Sequence, residues 1–127
     1  MQQILAPYHQ NNHWILIVIS PPSKTVYVFD PLKSVDRNLA VKVFVNMAFR
    51  SVPGRGIRTV DWKKCRCPQQ PGGSECGYYI LRYMFEIVSK HSELHCLEEI
   101  FEQPTYSIDE IDDIRELWAQ YFVDQCL

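Results

Sequence analysis

The sequence predicts an α+β fold, a small mixed or antiparallel sheet flanked by helices. Three observations carry this reading. The N-terminal part holds runs of β-branched and aromatic residues separated by turn residues. The C-terminal half holds apolar residues at helical spacing, with a Ser-x-x-Glu capping signature before the last of them. The chain has 127 residues, 46% apolar and 22% charged, which suits one globular domain over 1–127.

The elements follow in order. Ile4 to Tyr8 forms a short strand, and His9 to Asn12 a polar turn. Trp14 to Ile19 is almost unbroken apolar sequence, the pattern of a strand buried on both faces. Ser20 to Lys24, with Pro21 and Pro22, is a turn, and Thr25 to Phe29 the next strand, ended by Asp30-Pro31. Ser34 is read as the N-cap of a helix from about Val35 to Arg50, its apolar face made by Leu39, Val43, Phe44 and Met47. Thr59 to Trp62 is a short strand, and Cys65 to Glu75 a loop rich in Pro and Gly. A helix from about Cys76 to Lys90 and a short one over Leu94 to Phe101 follow. Ser107 and Glu110 cap a last helix with a stripe of Ile111, Ile114, Leu117, Trp118 and Tyr121.

Composition excludes several classes of function. The net charge is −2, from 13 basic and 15 acidic residues, so nothing points to nucleic acid or a membrane surface as a partner. No apolar run approaches bilayer length, and the N-terminus lacks a basic, apolar leader. The expectation is an intracellular monomer, in the nucleus or cytoplasm. Five cysteines cannot all pair within one chain, which leaves room for a free thiol.

Antiparallel pairing about the Pro21-Pro22 turn brings His13 opposite Asp30. A carboxylate beside an imidazole fixes its tautomer and stabilises the imidazolium. Such a pair lacks only a nucleophile, and Cys76 is the best candidate. It opens a helix, whose N-terminal partial charge favours a thiolate. The first-turn amide at Cys76 is free to serve as an oxyanion donor, and Gln70, six residues upstream, can turn its carboxamide to the same place. Gln69 competes for that role and is set aside on spacing. Gly77 leaves room for a substrate backbone.

Taken singly, these residues have plainer readings. His13 alone would be a surface or satisfied core residue, Asp30 a strand-ending turn, Cys76 a small buried hydrophobe. Gly72 and Gly73 would serve loop conformation. Cys65 and Cys67 lie upstream of His91, His95 and Cys96, but the spacing lacks a Cys-x-x-Cys knuckle, so no metal site is assigned. The acidic cluster at Asp109, Glu110, Asp112 and Asp113 fits a helix N-terminus without further function.

Together, His13-Trp14, Asp30 seventeen residues on, and Gln70-Pro71-Gly72-Gly73-Ser74-Glu75-Cys76-Gly77 resemble the ubiquitin-like-protein-specific protease family. The resemblance covers about residues 3–90. It implies an adenovirus-protease-like, papain-like fold. It also implies a cysteine peptidase or isopeptidase that cleaves after the C-terminal Gly-Gly of a SUMO-type modifier, with that modifier and its conjugates as partners and no metal or organic cofactor. His13 would be the general base, Asp30 its orienting carboxylate, Cys76 the nucleophile and Gln70 the oxyanion donor. Trp14, Gly73 and Gly77 would hold the modifier's tail. The family usually carries Asp before the nucleophile, where this chain has Glu75. The wording around Cys76 resembles the plant transposon-associated branch. Family members carry a further N-terminal segment, so the chain is expected to be N-terminally truncated. An impaired, modifier-binding module is therefore the alternative to an active peptidase. Acetyl transfer by the same residues ranks last, for want of a cofactor-binding patch.

Overall fold

The computed structural model describes residues 3–32, 38–51, 59–90 and 97–127. Its elements are β1 (Ile4–Gln10), β2 (His13–Ser20), β3 (Thr25–Phe29), α1 (Val41–Arg50), β4 (Asp61–Lys64), α2 (Cys76–Ser89) and α3 (Ile108–Cys126), with one turn of 3-10 helix at Leu97–Glu99. The four strands form one sheet in the order β1-β2-β3-β4. The first two pairings are antiparallel and β3–β4 is parallel, which makes the sheet mixed.

The β1–β2 hairpin closes through Asn11 and Asn12, whose φ values of 51° and 59° lie in the left-handed region. Two successive left-handed residues match the twist of the flanking strands, and Asn tolerates the conformation better than most side chains. This two-residue loop sets Gln10 opposite His13 and makes His13 the first residue of β2. Pro7 lies in β1, an outer strand of the sheet, where a missing N–H is tolerated.

As its apolar run predicts, β2 is buried on both faces. Leu16 and Val18, with Phe29 of β3, pack against Tyr79, Ile80, Tyr83 and Ile87 of α2 and against Phe101 and Tyr106. Ile15 and Ile17, with Val26 and Val28, form the opposite core with Leu39, Val41, Val45 and Phe49. Each face thus has its own helical cover. Burial of a large aliphatic or aromatic side chain is worth about 1.5–3 kcal/mol, so these two rows anchor the sheet.

The structure corrects three sequence-based details. The β2–β3 loop spans Pro21–Lys24 and ends on Lys24 at φ 50°, so Leu16 faces Phe29 and Ser20 faces Thr25. Continuing that register sets Asp30 across from Ile15, which makes His13 its diagonal rather than its direct neighbour. Helix α1 begins at Val41 with Ala40 at its N-cap and no capping side chain, and Ser34 lies outside the described residues. Its inward face is Val41, Val45 and Phe49, whereas the expected Val43, Phe44 and Met47 are exposed. In α3, Ile114 is buried and Ile111 partly so, but Leu117, Trp118 and Tyr121 are about half exposed. His91, His95 and Cys96 also fall outside the described residues.

Candidate active site

The site forms where β2 begins, β3 ends and α2 starts. His13 is buried and its Nε2 lies 2.7 Å from Asp30 Oδ1. The same carboxylate oxygen accepts from the Leu32 amide at 2.8 Å, a local turn bond that fixes the side chain just past the strand. With Nε2 as donor to the carboxylate, Nδ1 is the bare acceptor. That nitrogen is buried and has no hydrogen-bond partner. A buried ring nitrogen without a partner costs about 1–3 kcal/mol and calls for an explanation at a functional site.

Cys76 supplies one. The thiol is buried at the first position of α2, and its sulfur lies 3.5 Å from the amide nitrogen of Trp14, the residue after His13. Trp14 precedes the first β2–β3 pair, Leu16 with Phe29, so its amide can serve the sulfur instead of the ladder. By strand parity His13 belongs with the row of Ile15 and Ile17, whereas α2 packs on the other face. The imidazole–carboxylate pair and the thiol therefore come from opposite layers and meet at the open end of the sheet. The Cys76 and Gly77 amides precede the first backbone bonds of α2, from the Tyr78 and Tyr79 amides to Glu75 O at 3.1 Å each, and stand at the positive end of its dipole.

Gln70 is buried in the loop leading to α2. Its amide donates to Pro31 O at 3.0 Å, and its Nε2 to Gly72 O at 2.6 Å, while Oε1 is buried without a partner. The carboxamide is thus committed to the loop in this state, and serving an oxyanion requires it to turn. Gln69, set aside on spacing, has a different task. Its Nε2 donates to Asp30 O at 2.9 Å and to Cys67 O at 3.2 Å. No local sequence pattern announces this bond, because it joins segments 39 positions apart.

The glycines separate clearly. None of Gly72, Gly73 and Gly77 has a left-handed φ, so loop conformation alone does not demand them. A Cβ at Gly73 would meet nothing within 4 Å, whereas one at Gly77 would come within 3.9 Å of Trp14 Cδ1. Trp14 itself is 39% exposed and packs against His9, with ring centroids 4.8 Å apart and the planes tilted by 41°. Gly73 thus faces open space, and Gly77 lies in ordinary contact distance of the indole. The sequence reading missed His9 as the support for that indole, although the short Asn-Asn turn carried the signal.

A buried aromatic post holds the loop. The Tyr83 hydroxyl of α2 donates to Pro68 O, and burial pushes its phenol far above the ordinary range, so it stays a donor. Tyr79 reaches Thr105 at 3.0 Å, and Thr105 in turn donates to Gln69 O at 2.7 Å.

The family model described as Ulp1 protease family, C-terminal catalytic domain, matches residues 1–124. The protease of Porcine adenovirus A serotype 3 is 30% identical over 79 residues, 57% of this chain and 38% of that one. A solved structure of the SUMO protease Ulp1, with the catalytic cysteine oxidized to a sulfenic acid, matches with a TM-score of 0.64 at 21% identity. The match covers 96% of this chain and 52% of that one. The same protease with its cysteine oxidized to a sulfonic acid gives 0.62 at 20% identity. The structural matches establish the fold. The chain spans about half the length of the solved relatives and less than half of the adenovirus one.

Proposed function

We propose a function from one premise: the chain belongs to the Ulp1 protease family, whose C-terminal catalytic domain it matches almost end to end. It is a cysteine-type peptidase or isopeptidase that cleaves after the C-terminal Gly-Gly of a SUMO-type modifier. The observation that carries this reading is the buried His13 with Nε2 on Asp30 and Nδ1 unpartnered, while the Cys76 sulfur touches the next residue's amide. The modifier class is supported by the name of the solved relatives, SUMO protease Ulp1.

The mechanism is acyl transfer through a thioester. His13 Nδ1 takes the Cys76 proton, and Asp30 holds the imidazolium that results. The thiolate adds to the carbonyl carbon of the terminal glycine. Negative charge develops on the carbonyl oxygen, where the Cys76 amide and a turned Gln70 carboxamide donate to it. The tetrahedral intermediate collapses, and His13 gives its proton to the leaving amine, either a peptide nitrogen or a lysine Nζ. Water, deprotonated by His13, then hydrolyses the thioester and releases the modifier. The tail lies extended along Trp14, over Gly73 and Gly77. Every step uses this chain's own side chains and amides, and the enzyme works as a monomer inside the cell.

The test uses the full chain and a SUMO-type modifier bearing a C-terminal electrophile. The expected result is one covalent adduct on Cys76, found by peptide mass spectrometry, and hydrolysis of the matching Gly-Gly amide that Cys76→Ser abolishes. No adduct and no hydrolysis would overturn the reading. A second reading is favoured by the Gln70 carboxamide being held on Gly72 O: a module that binds the modifier without turning it over. Retention of modifier on the immobilised chain with no adduct and no product would select it.

A further inference from the structure

We propose that Gln69 is a positioning residue for the active site, holding the catalytic acid at a fixed distance from the nucleophile's helix. The proposal rests on the Cys76–His13–Asp30 reading above and extends it to a residue outside that motif.

Asp30 lies beyond the last β2–β3 pair, Leu16 with Phe29, and is followed by Pro31, which has no N–H. The strand ladder therefore stops just before the acid. The segment is held instead by the loop that leads to Cys76. Gln69 Nε2 donates to Asp30 O at 2.9 Å, Cys67 Sγ approaches the same oxygen at 3.4 Å, and the Gln70 amide donates to Pro31 O at 3.0 Å. A thiol is a weak donor, so the carboxamide is the stronger of these two bonds to Asp30 O. Its second bond, to Cys67 O at 3.2 Å, fixes its rotamer.

Gln69 is in turn fixed at both ends of its main chain. Its amide donates to Pro104 O at 2.7 Å, and its carbonyl accepts from Thr105 Oγ1 at 2.7 Å. Thr105 Oγ1 lies 3.0 Å from the Tyr79 hydroxyl on α2, the helix that Cys76 opens. Gln69, with Thr105, thus links the main chain of the acid to the helix of the nucleophile. The acid–base pair and the thiol come from opposite sheet layers, so their separation is set by such ties rather than by one element. Misplacement by about 1 Å can cost a hundredfold in rate.

Substitution of the side chain leaves the two main-chain bonds of Gln69 in place, so the variants are expected to fold. Gln69→Leu keeps the volume and removes the donor; Gln69→Glu keeps the shape and sets an acceptor against Asp30 O. In the full chain, each variant is expected to lower kcat on a SUMO-type modifier coumarin amide by about ten- to a hundredfold, with KM within about twofold. A second readout needs no substrate: the pH profile of iodoacetamide alkylation at the Cys76 peptide, followed by mass spectrometry. Both variants are expected to move that profile to higher pH, in the direction of Asp30→Asn. A lowered Tm with kcat and profile unchanged would overturn the proposal, because a purely structural role predicts it. If His13→Ala and Asp30→Asn move the profile and the Gln69 variants do not, the proposal alone falls. If His13→Ala also leaves it unmoved, the thiol–imidazole reading falls and takes the proposal with it.

Discussion

A histidine buried at the start of a strand has two ring nitrogens to satisfy, and the carboxylate at 2.7 Å serves one of them. The other is buried without a partner, and in the proposed mechanism it takes the thiol proton. On that mechanism, replacing His13 by Ala removes the base, and replacing Asp30 by Asn leaves the shape but no longer fixes the tautomer. In a Ser-His-Asp triad the acid-to-amide change costs about 10⁴ in kcat, and a loss of similar order is expected for Asp30→Asn here, measured by steady-state hydrolysis with KM nearly unchanged. Gln70→Ala is expected to lose about 10²–10³ in kcat, as for removal of an oxyanion donor. A smaller loss would mean that the carboxamide stays on Gly72 O throughout. That His13, Asp30, Gln70 and Cys76 come to one end of the sheet was legible because each sits at a fixed place in a short motif. The pairing argument reached the right His–Asp contact through a register shifted by the longer loop, since diagonal neighbours on one sheet face are also within side-chain reach. Gln69 was not legible, because its partner is chosen by how a loop crosses a strand end.

At the scale of elements, local chemistry was readable where side chain and backbone meet within a few residues. The capping box of α3 forms as its Ser-x-x-Glu pattern predicts: Ser107 Oγ accepts from the Glu110 amide at 3.1 Å, and Glu110 Oε1 accepts from the Ser107 amide at 3.0 Å. Ser107→Ala is expected to cost about 1 kcal/mol, read as a fall in Tm. The Ser107 amide, foremost, holds the Glu110 carboxyl below its ordinary 4.5, with Gln103 and the Ser107 hydroxyl adding to it. A carboxyl lowered on folding stabilises the fold above its unfolded value and loses that contribution as pH falls through the folded one. The Tm penalty of Glu110→Gln should therefore be full at neutral pH and shrink as pH drops below about 4.5. A penalty that is the same at pH 3 and pH 7 would show that the charge plays no part. Helix phase was harder to read. Helix α1 carries two apolar stripes, Val41-Val45-Phe49 and Val43-Phe44-Met47, and periodicity alone does not say which one meets the sheet.

Across the whole molecule, the mixed sheet with a core on each face was foreseen from one doubly buried strand, but its surface was not. Phe44 is 69% exposed, Val43 60% and Met47 57% on α1, and Leu117, Trp118, Tyr121 and Phe122 are about half exposed on α3. Neither face includes His13, Asp30, Gln70 or Cys76. Contiguous apolar surface of this kind is rare on a soluble monomer and promotes association. The chain is therefore expected to associate reversibly as its concentration rises, seen by sedimentation velocity or light scattering. Pairing Phe44→Glu with Met47→Lys on α1 should weaken that association, because both positions face solvent and single surface changes usually move stability by less than about 0.5 kcal/mol. The same variant should alkylate at Cys76 at the rate of the unaltered chain, since the site is assembled from β2, β3, α2 and the loop before α2. If the variant remains as associated as before, the α3 face is responsible, and Leu117→Glu with Tyr121→Lys should then disperse it. A chain that stays monodisperse at every concentration would show that these exposed side chains are too scattered to act as a patch.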